Sequence, residues 1–311
     1  MAKEVKELDL IIIGGGPAGL TAAIYAGRAK LNTLLLENKI LGGQVRNSFT
    51  IENYPGFKSI EGGKLADLIQ EQAVEFGAVI DEFDLIENIY LSDEEKTVET
   101  ETYIYKPKAV IIATGAVPRK LPIKGENEFA GRGIHYCAVC DGAMYEGKNI
   151  AVVGGGNSAL EEALFLTRFA EKVYLVRRYD YFRGEQSVIE EVFNHSKIEV
   201  LLNEDMIEAK GDAFLNSVVL ENTVSKEISE LKVDAVFGYI GTEPKTSDIK
   251  EYLNLTEQGY IITDEDMQTN IKGVYAAGDV RDKKFRQITT AVADGTIALL
   301  NAEKYILQKE K

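Results

Sequence analysis

The chain's first apolar run, Leu8 to Ile13 with Asp9 inside it, stops abruptly at Gly14-Gly15-Gly16-Pro17-Ala18-Gly19. A short continuous run closed by a turn predicts a strand buried on both faces. Leu20 to Ala29 predicts a helix, and Thr33 to Leu36 a second strand ending on Glu37. Leu65 to Phe76 has helical spacing. Val79 to Thr102 alternates as short strands around a charged turn, Ser92 to Lys96, expected to be a solvated hairpin tip. The strand Ala109 to Ala113 ends on Thr114-Gly115, and Pro118 to Pro122 looks like a crossing between domains.

The opening pattern then returns at an offset of 140 residues. Asn149 to Val153 predicts a strand, Gly154-Gly155-Gly156-Asn157-Ser158-Ala159 a glycine turn, Leu160 to Ala170 a helix, and Val173 to Val176 a strand. Strand-like segments such as Val200-Leu201-Leu202 continue to about Ala235–Thr242. Gly273 to Val280 predicts a strand whose end carries Gly278-Asp279, and Arg286-Gln287-Ile288 opens a last helix running past Asn301.

Strand, glycine turn, helix and a distal discriminating residue form the dinucleotide fingerprint in its required context. Gly14 allows the turn, Gly16 lets backbone approach a pyrophosphate, and Gly19 permits close helix–strand packing. The helix start favours the phosphate charge. The repeat places Gly154, Gly156 and Ala159 in the same roles and carries Glu37 onto Arg177. An acid suits bare ribose hydroxyls; an arginine suits a 2′-phosphate. Arg178 and Arg183 follow Arg177 closely, a candidate phosphate clamp with a solvated basic turn as the alternative. The expected class is therefore α/β, with two Rossmann-like dinucleotide-binding modules. Asp279, at a strand end beside a helix start, suits sugar hydroxyls or, equally, a helix cap.

A length of 311 residues accommodates two domains. The net charge of −15 argues against nucleic acid or an anionic membrane as a main partner. No apolar segment is long enough to span a bilayer and no signal-peptide layout opens the chain, so a cytoplasmic protein is expected.

In a reducing compartment cysteines are catalytic or metal-binding rather than structural staples. The only two are Cys137 and Cys140, in His135-Tyr136-Cys137-Ala138-Val139-Cys140-Asp141-Gly142. By itself this is a redox pair, half a metal site, or two buried small side chains. A zinc site needs four ligands, and only His135 and the distant His195 could join the cysteines, so no metal is expected. A thioredoxin-like active site is disfavoured by the position upstream of a nucleotide turn and by the absence of Trp.

The ordered set of these motifs resembles the low-molecular-weight thioredoxin reductases among the flavoprotein disulfide reductases. Its carriers are the two fingerprints, Gly42-Gly43-Gln44, Asn53-Tyr54-Pro55-Gly56, Ala113-Thr114-Gly115, Cys137 to Gly142, and Gly278-Asp279 with Arg286-Gln287. The resemblance covers nearly the whole chain. It implies a three-layer FAD-binding domain in two parts, 1–117 and 245–311, with an NADPH-binding domain, 118–244, inserted between them and carrying the disulfide. FAD contacts would come from Gly14, Gly16, Pro17, Ala18, Gly19, Glu37, Gly42, Gly43, Gln44, Asn53, Thr114, Gly115, Gly278, Asp279, Arg286, Gln287 and Ile288. NADPH contacts would come from Gly154, Gly156, Asn157, Ser158, Ala159, Arg177, Arg178 and Arg183. A homodimer is implied, as is a middle domain that swings to present nicotinamide and disulfide to the flavin in turn.

Two departures stand in the arginine segment. Val176 occupies the place where the family commonly has a histidine, and one extra residue precedes Arg183. Some relatives have lost this clamp and take electrons from ferredoxin, which is the alternative donor; the arginines keep NADPH as the expectation. The implied reaction passes hydride to FAD, electrons to the disulfide, and then dithiol exchange to thioredoxin or a thioredoxin-like protein. Cys140 would face the flavin, Cys137 would attack the partner, and Asp141 would protonate a departing thiolate. His135 is read as a packing residue that could assist. The alternative from a different class, a non-enzymatic redox-sensing regulator on the same fold, is disfavoured by the presence of two full cofactor motifs.

Overall fold

The computed structural model describes residues 3–38, 41–48 and 51–309. The chain forms two compact units: the first runs to Val117 and resumes at Glu243, and the second is Pro118–Thr242.

In the first unit, strand β1 (Glu4–Ile13) leads into helix α1 (Pro17–Arg28), followed by β2 (Thr33–Leu36), α2 (Gly62–Glu75) and β3 (Val79–Asp81). The strands β4 (Ile86–Leu91), β5 (Lys96–Thr100) and β6 (Tyr103–Ile112) follow, and β7 (Ala116–Pro118) leaves the unit. Helix α1 starts three residues before the predicted Leu20 because Pro17 fits the first turn, where its missing N–H is not needed.

The second unit opens with a single helical turn, α3 (Glu126–Phe129), then β8 (Ile134–His135), the short turn α4 (Ala138–Asp141) and β9 (Asn149–Gly154). Helix α5 (Asn157–Leu166), β10 (Lys172–Arg177), α6 (Gln186–Asn194) and β11 (Ile198–Leu202) complete a second nucleotide fold. The antiparallel strands β12 (Glu204–Gly211), β13 (Leu215–Asn222) and β14 (Ile228–Lys232) form a separate sheet before β15 (Ala235–Tyr239). Helix α6 lies where only strand-like segments were anticipated. Its apolar pairs, Val188-Ile189 and Val192-Phe193, are spaced four apart, but only Val192 is buried. The chain returns through β16 (Thr242–Pro244), β17 (Val274–Ala276) and the long helix α7 (Ile288–Lys309).

The parallel core of the first unit has the order β3-β2-β1-β6-β17, and β4 and β5 continue as an antiparallel meander from the other half of β6. Strand β6 holds Pro107, which would normally be excluded from a central strand. Here β5 pairs only at Ile104 and Tyr105 and β17 only from Val110 onward, so Pro107 falls in the gap between them. Along β1, Leu10 and Ile12 pack in the core beneath α1, α2 and α7, while Ile11 and Ile13 pack in the opposite core. Burial on both faces explains why this strand reads as unbroken apolar sequence.

The second unit's sheet, β11-β10-β9-β15-β8, is parallel throughout. Ile150 and Val152 face the core under α5 and α6, and Ala151 faces the core shared with β12–β14. Both units are thus three-layered Rossmann-like folds, with the second inserted into the first. Among the described residues no helix is long and apolar enough to cross a membrane.

The charged turn after β4 corrects one expectation. Ser92 closes the hairpin by accepting and donating bonds with Glu95, but Lys96 is only 3% exposed and its ammonium donates to Ser92 O at 3.0 Å. Burial, then the nearby Lys309, brings its pKa down to about 8.

Candidate active site

In the first unit the three glycines do different work. Gly14 has φ +110, and a Cβ there would lie 2.4 Å from Ala113 O; one on Gly19 would lie 1.8 Å from Gly14 O. Both must be glycine for strand, turn and helix to meet at all. Gly16 has ordinary φ −75, and an added Cβ would meet nothing within 4 Å. No protein atom explains its lack of a side chain. It caps α1 at the end where unpaired N–H groups gather, followed directly by Pro17 and Ala18.

Glu37 leaves β2 and turns onto this loop, its Oε2 accepting Gly15 N–H at 2.8 Å. The Gly42-Gly43 turn closes on the same loop: Gly42 N donates to Gly15 O at 2.8 Å, and both glycines have positive φ. Gln44, next in that turn, is exposed. Thr114 and Gly115 follow β6; Thr114 Oγ1 donates to Lys245 O at 2.7 Å, and Gly115 O accepts Lys245 N–H. Asn53 and Gln287 are hydrogen-bonded to one another, and Ile288 begins α7.

Asp279 follows Gly278 just after β17, inside a short 3-10 turn whose N-cap is Ala277, so its side chain does not cap that turn. Its Oδ1 is buried and 3.3 Å from Lys283 Nζ, with no hydrogen bond among the described residues. Burial pushes this carboxyl's pKa up, against the pull of Lys283 and Arg286. Arg286 packs over the Tyr260 ring at 4.1 Å.

Beneath Asp279 lies a charge cluster that sequence reasoning missed. Lys283 donates to Asp294 Oδ2 at 3.0 Å, and Arg281 to Asp294 Oδ1 at 3.2 Å, with Lys283 and Asp294 almost completely buried. The one sequence signal was the four-residue spacing of Asp279 and Lys283.

The second unit repeats the arrangement with opposite charge. Gly154 is crowded, its notional Cβ 2.6 Å from Tyr239 O and from Ala159 Cβ, whereas Gly156 again meets nothing within 4 Å. The Arg177 guanidinium lies against Gly155, within 2.5 Å of where a Cβ would stand. It occupies the place at the middle glycine that Glu37 takes in the first unit. Its Nε donates to Tyr181 O at 3.0 Å and its plane sits 4.7 Å from the Tyr179 ring centroid. Burial, then Arg183, lowers its pKa. Arg178 and Arg183 are exposed, leaning on Tyr179 and Tyr181. So Arg177 is no solvated turn residue, and the interleaved tyrosines, passed over in the sequence, hold the arginines in place. Asn157 Oδ1 accepts Glu185 N–H at 2.7 Å, and Ser158 is exposed on the first turn of α5.

Cys137 and Cys140 form a disulfide, with Cα atoms 5.3 Å apart. Cys137 caps the start of α4 and Cys140 lies within it, just after the edge strand β8. Both cysteines are half-buried, and Val139 between them is 40% exposed. The turn is fastened by Tyr239, at the end of β15, whose hydroxyl accepts Ala138 N–H at 2.7 Å. His135 does more than pack. Its Nδ1 lies 3.2 Å from Asp141 Oδ2 and its Nε2 lies 2.7 Å from the Tyr145 hydroxyl.

Such a disulfide can exchange two electrons, and the carboxyl directly after it can move a proton. Each glycine turn leaves room for backbone-to-phosphate contact at a helix start.

Comparison with known proteins places this arrangement. The family model for pyridine nucleotide-disulphide oxidoreductase matches residues 8–295. A "34.2 kDa protein in rubredoxin operon" of Clostridium pasteurianum is 55% identical over 98% of this chain and 99% of its own length. A thioredoxin reductase of Listeria innocua is 47% identical over 98% of this chain and 96% of its own length. The crystal structure of thioredoxin reductase from Streptococcus pyogenes superposes with a TM-score of 0.91 at 40% identity, covering 97% of this chain and 99% of that one. This chain belongs to the pyridine nucleotide-disulphide oxidoreductase family, among its low-molecular-weight thioredoxin reductases.

Proposed function

We propose that the chain is a thioredoxin-disulfide reductase that takes electrons from NADPH and delivers them, through FAD and the Cys137–Cys140 disulfide, to an oxidised thioredoxin. The observation that carries this reading is the disulfide itself, formed by the only two cysteines on the fold whose second strand ends in Arg177.

The residues present fit both cofactors. For FAD, Gly16 offers backbone to the pyrophosphate, Glu37 stands at the ribose end of β2, and the buried Asp279 carboxylate, ion-paired with Lys283 at 3.3 Å but without a well-formed hydrogen bond at Oδ1, would accept one from a sugar hydroxyl. Gly42 to Gln44, Asn53, Thr114-Gly115 and Arg286 to Ile288 would line the remainder. For NADPH, Gly156 to Ala159 would cradle the pyrophosphate, and Arg177, backed by Arg178 and Arg183, would take the 2′-phosphate as an arginine fork does. Bound flavin supplies the hydride and two-electron chemistry between nicotinamide and sulfur.

The rest belongs to this chain's residues. The Cys137–Cys140 bond opens to a dithiol, Asp141 passes a proton to the sulfur that departs as thiolate, and Cys137 attacks the partner disulfide. The resulting mixed disulfide is resolved by Cys140, which re-forms the ring and releases reduced partner. A carboxylate beside a thiol raises that thiol's pKa, so Asp141 serves best in its protonated form. The active form is proposed to be a homodimer.

Anaerobic titration tests the reading. NADPH should bleach the bound flavin, and added thioredoxin should then be reduced catalytically. Bleaching by reduced ferredoxin and by neither NADPH nor NADH would replace the donor; bleaching without turnover would favour a regulator. Cys140→Ser should keep flavin reduction and lose turnover.

A further inference from the structure

The mechanism so far gives His135 no part, yet both of its ring nitrogens are engaged. Nδ1 faces Asp141 Oδ2 at 3.2 Å and Nε2 faces the Tyr145 hydroxyl at 2.7 Å. The ring stacks on Phe237 with centroids 5.3 Å apart, meets Tyr145 edge-on, and is 6% exposed. Its backbone is fixed on β8, paired with Phe237 of β15. A histidine needed only for packing would not present one nitrogen to the single carboxylate of the C-x-x-C turn.

Resting on the reductase reading above, we propose that His135 is a positioning residue for the dithiol chemistry: it orients the Asp141 carboxyl and replaces the proton that Asp141 gives to sulfur. Opening the disulfide takes two electrons from reduced flavin, breaks one S–S bond and leaves two sulfur anions. Asp141 donates one proton, so one thiol and one thiolate result. The proton on His135 Nδ1 moves to Asp141, and solvent reloads the pair.

Through this cycle Nε2–H stays on the Tyr145 oxygen. A hydroxyl suits the place because its oxygen accepts from Nε2–H in both protonation states of the ring. Burial, with Asp141 adding to it, pushes the Tyr145 pKa up to about 12, so the phenol keeps its own proton and is not the source. Imidazole is the side chain whose proton comes and goes in the neutral range. Among the described residues, Tyr239, bonded to Ala138 N, also faces the pair, and Glu162 and Asp234, the latter ion-paired with Lys148, bear electrostatically on Tyr239 and Tyr145 respectively.

The test uses FAD-loaded wild type, His135→Gln and Tyr145→Phe in anaerobic stopped flow, from about pH 5.5 to about 9, a range centred on imidazole titration. Flavin reduction by NADPH should stay within about twofold in both variants. Transfer from flavin to the disulfide should slow about tenfold in His135→Gln, less than the roughly hundredfold supplied by a group touching the reacting atoms. It should also lose its pH dependence near neutrality, since an amide holds Asp141 but carries no exchangeable charge. In Tyr145→Phe the same limb should move to lower pH, because a charged ring with Nε2–H buried and unpaired is harder to form.

Iodoacetamide alkylation of the dithiothreitol-reduced cysteines gives a readout free of turnover. Its pH curve should move upward in His135→Gln, where Asp141 stands without its cation. Wild-type rates and pH profiles in folded, flavin-loaded variants would overturn the proposal. Should His135→Gln not fold, an unchanged profile in Tyr145→Phe overturns it alone. A wild type that never passes electrons to Cys137–Cys140 brings down the functional reading first, a result visible before any variant is compared.

Discussion

Asn53 and Gln287 lie 234 residues apart and meet side chain to side chain, Asn53 Nδ2 donating to Gln287 Oε1 at 3.3 Å. One belongs to a loop after β2, the other to the residue before α7, and the middle unit of the chain intervenes in sequence. Their meeting closes the first unit around the expected flavin site from both ends of the chain.

If both side chains serve FAD, Asn53→Ala and Gln287→Ala should each weaken flavin binding about three- to tenfold, the range of one hydrogen bond. The double variant should lose less than the product of the two, because the first substitution already breaks the shared bond. Fluorescence titration of the apoprotein with FAD measures this. Fully multiplicative losses would mean that the pair acts independently.

Gly16 and Gly156 make a sharper case, because the fold does not require either to be glycine. An added methyl meets no protein atom in either place. Gly16→Ala should therefore fold with a melting temperature close to that of the wild-type apoprotein yet bind FAD at least tenfold more weakly, the methyl standing where the pyrophosphate meets backbone. Gly156→Ala should keep its FAD and lose NADPH affinity. Gly14→Ala is the contrasting control: its φ of +110 and the Ala113 carbonyl at 2.4 Å predict a poorly folded protein. Calorimetry on the apoproteins separates the two kinds of glycine.

What could be read from sequence and what could not divides along a physical line. β1 and both glycine turns were legible because burial on two faces forces unbroken apolar runs and because the turns admit few residues. The Glu37-to-Arg177 exchange was legible because the repeat supplied the alignment. Lys96, Lys283 and Asp294 were not: a charged side chain is read as exposed unless its partner is known, and these partners come from across a turn or along α7. His135 was under-read for the same reason, since Tyr145 and Phe237 reach it only once β8 has paired with β15.

Arg177 is held by Tyr181 O and the Tyr179 ring before any ligand arrives, so little side-chain freedom is left to lose on binding. Arg177→Ala should weaken NADPH about a hundredfold, as expected for a charge-assisted contact to phosphate, while NADH changes about twofold or less. Arg177→Glu, which restores the charge found at Glu37, should turn the preference toward NADH. Steady-state kcat/KM with each nucleotide decides it; equal losses for both would put the 2′-phosphate elsewhere.

Glu162, on α5, gives a prediction in pH. Burial first, and then the neighbouring Glu161, raise its pKa from 4.5 to about 7. In the unfolded chain it ionises at its ordinary value, so between the two values the folded state holds the extra proton. Stability is unaffected by Glu162 below about pH 4.5 and is lost as pH rises through about 7, where the buried carboxylate must ionise. Glu162→Gln is neutral throughout. Its unfolding free energy should match wild type near pH 4 and exceed it above pH 7 by on the order of 1–2 kcal/mol, allowing for the water this side chain still touches. Urea titrations of the two apoproteins at several pH values give the difference directly. A gap of the same size at every pH would mean that the gain comes from packing of the amide, and that Glu162 is ionised in the folded protein at its ordinary pKa.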